Sequence, residues 1–254
     1  MLGEFHRDKQ SHAVAVYRDD KSRKLAAGSW QPAAGNRKPE AGSWKPAAGS
    51  GQRKQPDTID QMIPWIFLGY AIGSVPFAFL LARRAGIDVR VTGSGNVGAA
   101  NVVRTSGLPL GVTVMALDMT KGAATVLFAY AAAGSVPSMA AAGAAAVVGH
   151  VYPVWLRFHG GKGVAVAAGV FAILAPLATV AATAVFAAAV VATRVVSLGS
   201  VAATIALPPA AWLAGAPTSV LAAAFGSAGL ILFRHRSNVR RIATGTERRF
   251  GEPR

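Results

Sequence analysis

Residues 164–193 read VAVAAGVFAILAPLATVAATAVFAAAVVAT, thirty positions without one ionisable side chain. A helix needs about 20 apolar residues to cross a bilayer, so the run is too long for one span and short for two. Pro176 supplies a break, because a proline inside a helix lacks the N–H and clashes with the preceding turn. Whether 164–193 holds one helix or two sets the number of spans, and with it the side on which every later loop lies.

Other apolar runs flank it: Ile63–Ala82, Leu108–Ala133, Ser138–Leu156, Leu198–Ala214 and Thr218–Phe233. With two short helices, Val164–Leu177 and Ala178–Thr193, there are seven spans. The basic segments 83–107, 157–163, 194–197 and 234–254 then share one side, and the turns near 134–137, 175–176 and 215–217 on the other side carry no charge. Cytoplasmic loops are the ones enriched in Lys and Arg, which places the basic side in the cytoplasm. Six spans would separate Arg194 from the basic C-terminus. The expected fold is an all-α membrane protein of seven transmembrane helices, N-terminus outside and C-terminus cytoplasmic.

Composition agrees. The chain is 52% hydrophobic and 15% charged, with a mean hydropathy of +0.39, whereas soluble domains carry about 25% charged residues. Residues 61–233 contain eight basic and two acidic side chains, nearly all at or near polar breaks between apolar runs. A net charge of +15 suits nucleic acid in a soluble protein. Here the cations flank membrane runs, and no nucleic-acid partner is expected. The absence of cysteine excludes disulfides and thiolate metal sites. No apolar stretch follows Met1, so a cleavable signal peptide is not expected.

Residues 1–61 are a basic extension rich in Gly, Pro and Ala, with an internal repeat, AGSWQPAAG at 27–35 and AGSWKPAAG at 41–49. Such a segment buries too little apolar surface to order itself, so a disordered tail is expected before a membrane domain at 62–254. Met62 opens the first apolar run, and translation from there would dispense with the tail.

Four polar islands remain. They are GSGNVGAANVVR at 93–104, HVYPVWLRFHGGKG at 150–163, RVVSLGS at 194–200 and RHRSNVRRIATGTE at 234–247. Gly160, Gly161 and Gly163 around Lys162 offer bare backbone N–H groups and a point charge, which suits an anion, above all a phosphate. Gly93, Gly95 and Gly98 surround Ser94 and Asn96, and Asn101 and Arg104 follow; Arg can grip a phosphate through two parallel hydrogen bonds. Amides and charges set between membrane helices cost desolvation and point to function. Asp118 and Lys121 lie one helical turn apart and are placed to pair, as are Asp88 and Arg90. No cluster of His and carboxylates suggests a metal, and no histidine precedes an aspartate by five positions. Gly161-Lys162-Gly163 also lacks the Ser or Thr with which a nucleotide-binding loop holds magnesium. The residues alone leave three readings open: an enzyme acting on phosphorylated substrates, a transporter for an organic phosphate, and a scaffold for anionic lipid.

These islands, with LDMTKG at 117–122, GHVYPVWLRFHGGKGVA at 149–165 and SNVRRIATGTE at 237–247, occur in one order that resembles the bacterial integral-membrane glycerol-3-phosphate acyltransferases using acyl phosphate as donor. The resemblance covers about 63–250. It implies a multi-pass enzyme of the bacterial inner (plasma) membrane, active on the cytoplasmic side, acylating the 1-hydroxyl of glycerol 3-phosphate and releasing lysophosphatidic acid and phosphate. Carried over by motif, Lys162, Arg104 and Ser94 would be catalytic. Asn96, Asn101, His150, Gly160, Gly161, Gly163, His235, Asn238 and Glu247 would bind substrate or phosphate. A substrate phosphate could itself accept the proton, with His150 or Glu247 as alternative bases. No metal or cofactor is implied. The implied partners are acyl phosphate, glycerol 3-phosphate, the lipid bilayer and, functionally, an enzyme that makes acyl phosphate. Ala100 and Val166 stand where the family usually has Thr, and His159 where it often has a basic residue.

Overall fold

The structure, a computed structural model, describes residues 58–251. The expected tail up to residue 57 lies outside the described residues. In chain order the helices are α1 (Ile59–Gly73), α2 (Phe77–Arg84), α3 (Ala99–Ser106), α4 (Leu108–Ala133), α5 (Val136–Val151), a 3-10 turn (Val154–Leu156), α6 (Val164–Leu174), α7 (Pro176–Thr193), α8 (Val196–Leu213), α9 (Thr218–Arg234) and α10 (Arg236–Ala243). The described residues contain no strand.

Five segments are long and apolar enough to cross a bilayer: Ile59–Arg84, Leu108–Ala133, Val136–Leu156, Pro176–Thr193 and Val196–Leu213. The pair α9 and α10, bent by 58°, makes a sixth if counted as one span. The expected break at Pro176 is present, and it leaves α6 with 11 residues. That is roughly 16 Å of helix against a hydrocarbon core about 30 Å thick. The expected first span is also divided. Pro76 sits at its break, where the missing N–H interrupts the helix between Gly73 and Phe77. Moreover α1 begins four residues before Ile63, at Ile59, with the Thr58 N–H donating to Gln61 Oε1 at 3.3 Å.

Between lipid-facing helices there is no water to expel, so association depends on close van der Waals approach. Small residues provide it here. Gly69 and Gly73 of α1 lie on the backbone of Ala142 and Ala146 of α5, where any Cβ would collide with a carbonyl oxygen. Gly122 of α4 and Gly169 of α6 do the same for each other's helix, against Val166 and Met119. Behind these contacts Val126, Val147, Val166, Val170 and Phe171 are fully buried. On α7, by contrast, Leu177, Val180 and Val191 are 75%, 69% and 83% exposed. Such a face suits lipid tails.

Candidate active site

The segment after α2 is built around one amide. Asn101, 2% exposed on α3, donates through Nδ2 to the carbonyls of Val89 and Thr92, both at 3.0 Å, and accepts the Ser94 N–H at 2.8 Å. Asp88 and Arg90 pair at 2.6 Å as expected, and hydrogen bonds from Arg90 hold the Asp88 carboxyl down at about 2. Gly93 has φ +68°, a left-handed conformation that glycine adopts without strain, and a Cβ there would strike Asn101 Oδ1. The Asn101 side chain is thus engaged in shaping the loop. Ser94 is exposed near the tip and Asn96 half-buried. Among the described residues neither side chain hydrogen-bonds to Lys162, Asn238 or Glu247.

The glycine-rich loop follows the 3-10 turn through two left-handed non-glycine residues, Arg157 (φ 50°) and Phe158 (φ 62°). Its first two glycines do not present their amides. Gly160 N–H donates to the Val151 carbonyl and Gly161 N–H to that of His150, both at 3.1 Å, so they satisfy the end of α5. Both amides are thus paired within the chain. A helix leaves its last carbonyls without partners, and the loop supplies them. What demands glycine is space: a Cβ on Gly160 would collide with the His150 carbonyl, and one on Gly161 with His150 Nε2 while lying 2.8 Å from the Val97 carbonyl. Through Gly161 and Val97 the two polar loops touch.

Lys162 comes next, just before α6, and its ammonium donates to Asn238 Oδ1. Asn238 Nδ2 donates in turn to Glu247 Oε1 at 2.6 Å, which also accepts the Ser197 hydroxyl at 2.7 Å, while Arg241 Nε donates to Glu247 Oε2 at 2.6 Å. Arg104 shares the electrostatic field of Glu247, Arg241 and Arg248, and burial lowers its pKa. Burial also pushes the Lys162 ammonium down to about 8, with Glu247 opposing that shift and Arg241, Arg104 and Arg234 reinforcing it. Glu247 is moved up by burial, but hydrogen bonds from Ser197, Arg241 and Asn238 outweigh this and leave its carboxyl below the ordinary range. Every acceptor oxygen of Glu247 is occupied, which suits an anchor better than a proton acceptor. The Phe250 N–H donates to the Arg194 carbonyl at 2.6 Å, so the turn between α7 and α8 lies at the same end.

Two histidines differ in their settings. His235, 2% exposed, faces the Ile231 carbonyl through Nδ1 at 2.8 Å, so Nδ1 carries the proton and Nε2 is the acceptor. His150 is 8% exposed and contacts Lys121 through Nδ1 at 3.1 Å. The cavity beside it, bounded by Ser74, Asp118, Gly160 and Gly161, measures about 10 Å³, room for about one water. His150 thus sits between Lys121 and the Gly161 backbone.

Sequence reasoning missed Arg234 as a site residue. Its Nη2 donates to the Gly160 carbonyl at 3.3 Å, its guanidinium lies 5.7 Å from the Tyr152 ring centre, and its Nε is buried without a hydrogen-bond partner. The only signal was its place next to His235. Near the α1–α2 break an open apolar groove of about 350 Å³ runs between Val75, Pro76, Phe79, Leu80, Trp155 and Leu156.

The Lys162–Asn238–Glu247 cluster is thus basic and carboxylate-poor, in a protein built of apolar helices. The glycerol-3-phosphate acyltransferase family profile matches residues 63–245. The chain belongs to that family. The glycerol-3-phosphate acyltransferase of Myxococcus xanthus (strain DK1622) is 45% identical over 187 residues, 73% of this chain and 97% of that protein. That of Geobacter sulfurreducens is 43% identical over 183 residues, 72% and 94% of the two. Among solved structures, PlsY, an integral membrane glycerol 3-phosphate acyltransferase, superposes in its glycerol 3-phosphate form with a TM-score of 0.71 at 40% identity, covering 75% of this chain and 96% of that one. Its lysophosphatidic acid form gives 0.70 at 39%, covering 75% and 95%. This acyltransferase is an integral membrane enzyme, and its Lys162, Asn238 and Glu247 motifs come together although 76 positions separate the first two.

Proposed function

We propose that the enzyme transfers a fatty acyl group from acyl phosphate to the 1-hydroxyl of glycerol 3-phosphate, giving lysophosphatidic acid and phosphate, the first acylation of phospholipid synthesis. The observation that carries this is the Lys162–Asn238–Glu247–Arg241 chain with Arg104 and Arg234 around it, a concentration of cations larger than its one carboxylate balances. Two phosphorylated substrates need such a surplus.

Acyl phosphate is a mixed anhydride, already activated, so no covalent enzyme intermediate is required. The glycerol hydroxyl oxygen forms the new ester bond to the acyl carbon. The bond from that carbon to the phosphate oxygen breaks, and a substrate phosphate oxygen takes the proton. Lys162 and Arg104 orient both phosphates and stabilise charge gathering on the leaving one, while Ser94 at its loop tip can donate a hydroxyl proton to either. The Asn96 amide and the acceptor Nε2 of His235 are suited to the glycerol hydroxyls, and the groove at Phe79 and Trp155 to the acyl chain.

In the membrane the chain forms seven passes, N-terminus outside, with α6 as a shortened one. The reading is supported by contacts that bring the ends of α2, α5, α7 and α9 to one end of the bundle: Val97 at Gly161, Lys162 at Asn238, Arg194 at Phe250. Arg83 in the last turn of α2, and Arg157, Arg194 and Arg236 after α5, α7 and α9, support a multi-pass protein of the bacterial inner (plasma) membrane whose active site faces the cytoplasm. An enzyme producing acyl phosphate is the functional partner.

The test is purified protein with palmitoyl phosphate and glycerol 3-phosphate. One phosphate released per lysophosphatidate formed is expected, with Lys162→Ala and Arg104→Ala each losing most turnover. Near-normal rates in both variants, or no lysophosphatidate from the wild type, would discard the reading.

A further inference from the structure

Asp118 and Lys121 lie on α4, their side chains 2% and 3% exposed, with 2.8 Å between Oδ1 and Nζ. A buried ion pair can commonly be replaced by apolar groups without loss of stability, so its presence inside a membrane helix calls for a further reason. Lys121 shows one. Its ammonium has only protons to give and no acceptor capacity; it donates to the Val75 carbonyl at 2.8 Å, contacts His150 Nδ1 at 3.1 Å, and is held by Asp118 Oδ1 as an ion pair. The Phe77 ring centre lies 5.5 Å away. These partners belong to α4, to the break between α1 and α2, and to the last turn of α5.

The contact with His150 has a chemical consequence. Because the ammonium only donates, Nδ1 must accept, and the imidazole proton is on Nε2. Asp118 Oδ1 lies 3.6 Å from Nδ1, beyond hydrogen-bond range, so it does not compete. Nε2 faces the place where a Cβ on Gly161 would collide and would lie 2.8 Å from the Val97 carbonyl. The imidazole therefore stands between a fixed ammonium and the junction of the two loops that lead to Lys162 and Arg104. Its own backbone carbonyl holds Gly161 as well.

We propose that Lys121 is a positioning residue for acyl transfer: by fixing the His150 tautomer and clamping the α1–α2 break at Val75, it sets the spacing of the loops that lead to Lys162 and Arg104. The inference rests on the acyl-transfer reading. It asks of Lys121 no contact with substrate. Its effect falls on the alignment of two bound phosphates, where a displacement of about 1 Å costs about a hundredfold in rate.

Lys121→Met preserves length and removes the clamp. Its kcat should fall about 10- to 100-fold, with the KM for glycerol 3-phosphate changed less than about threefold. Adding His150→Ala to it should cost little more than either change alone, because both act through one contact. On the wild-type background His150→Gln, which can return an N–H near the Nε2 position, should recover at least about tenfold over His150→Ala. In ¹⁵N-histidine-labelled enzyme the His150 signals, assigned by their loss in His150→Gln, should report a protonated Nε2 and a bare Nδ1. A wild-type kcat in Lys121→Met, additive losses, equal rates for the Gln and Ala variants, or a protonated Nδ1 would each overturn the proposal. If Lys121→Met does not fold, the Gln-against-Ala comparison and the ¹⁵N signals still decide it. Wild-type protein that forms no lysophosphatidate fails the acyl-transfer reading instead, a separate outcome from the variants' behaviour.

Discussion

Lys162 and Asn238 meet directly: the ammonium just before α6 donates to the side-chain carbonyl of a residue on α10, and Asn238 passes the contact on to Glu247. A cation is thus held by a neutral amide, with the compensating carboxylate one residue further away. Such an arrangement keeps the ammonium available for an incoming anion.

Its protonation should be visible in the pH profile. Burial holds the Lys162 ammonium at about 8, and only the charged form binds phosphate well. The kcat/KM for glycerol 3-phosphate should therefore fall as pH rises through about 8. A bound phosphate dianion favours the ammonium, so the alkaline limb of kcat should lie at higher pH. Lys162→Arg should lose that limb, since guanidinium does not titrate there. Initial rates from pH 6 to 10 check both statements.

Glu247 anchors the C-terminal segment through Ser197, Asn238 and Arg241. Its side chain is 4% exposed, and charge-assisted hydrogen bonds contribute about 1.5–3 kcal/mol each against a vacant partner. Glu247→Ala should destabilise by roughly 2–4 kcal/mol, measured as detergent-phase thermal unfolding. Because the folded carboxyl sits below its ordinary range, its contribution is present above that range and lost as pH falls through the folded value. The wild type should therefore lose more Tm than Glu247→Gln between pH 7 and acid.

Arg234 has a buried Nε without a partner beside Gly160 and within the field of Lys162. Arg234→Met should raise the KM of a phosphate-bearing substrate about tenfold, the scale of one charge-assisted hydrogen bond, with little change in thermal unfolding. Arg234→Lys should not restore it, because a point charge on a flexible stem does not reproduce the planar fork. Steady-state kinetics with each substrate varied in turn will show which phosphate is affected.

Gly161→Ala places a methyl group against His150 Nε2 and the Val97 carbonyl, so one loop must move. Turnover should fall about a hundredfold. Gly226→Ala on α9 meets nothing within 4 Å and should retain wild-type rates, with unfolding unchanged or slightly later because alanine favours helix. The pair separates a steric requirement from a general cost of replacing glycine.

Hydropathy located α4 at its observed limits and α7, α8 and α9 within a few residues of theirs. It missed α3 and α10, eight-residue helices whose polar residues read as loop because neither supplies a long apolar period. Pro76 stood inside an expected continuous span and broke it. At the site, the motifs bearing Lys162, Asn238 and Glu247 were legible, and so was the Asp118–Lys121 pair. The work done by Asn101, Gly160 and Gly161 was not. Their residue types fit ligand binding as well as loop construction, and only the positions of Val89, Thr92, His150 and Val151 distinguish the two.

By itself the sequence determined the membrane class, the order of the polar islands and the family, because hydropathy and motif order are properties of the chain taken residue by residue. The tertiary structure decided which polar groups are already satisfied and which remain for a substrate. That depends on pairs distant in sequence: Lys162 with Asn238, Arg234 with Gly160, Lys121 with His150 and Val75. A buried donor or acceptor must find its partner wherever helix packing puts one, and such packing is set by glycine contacts between helices, which no local reading of the chain contains.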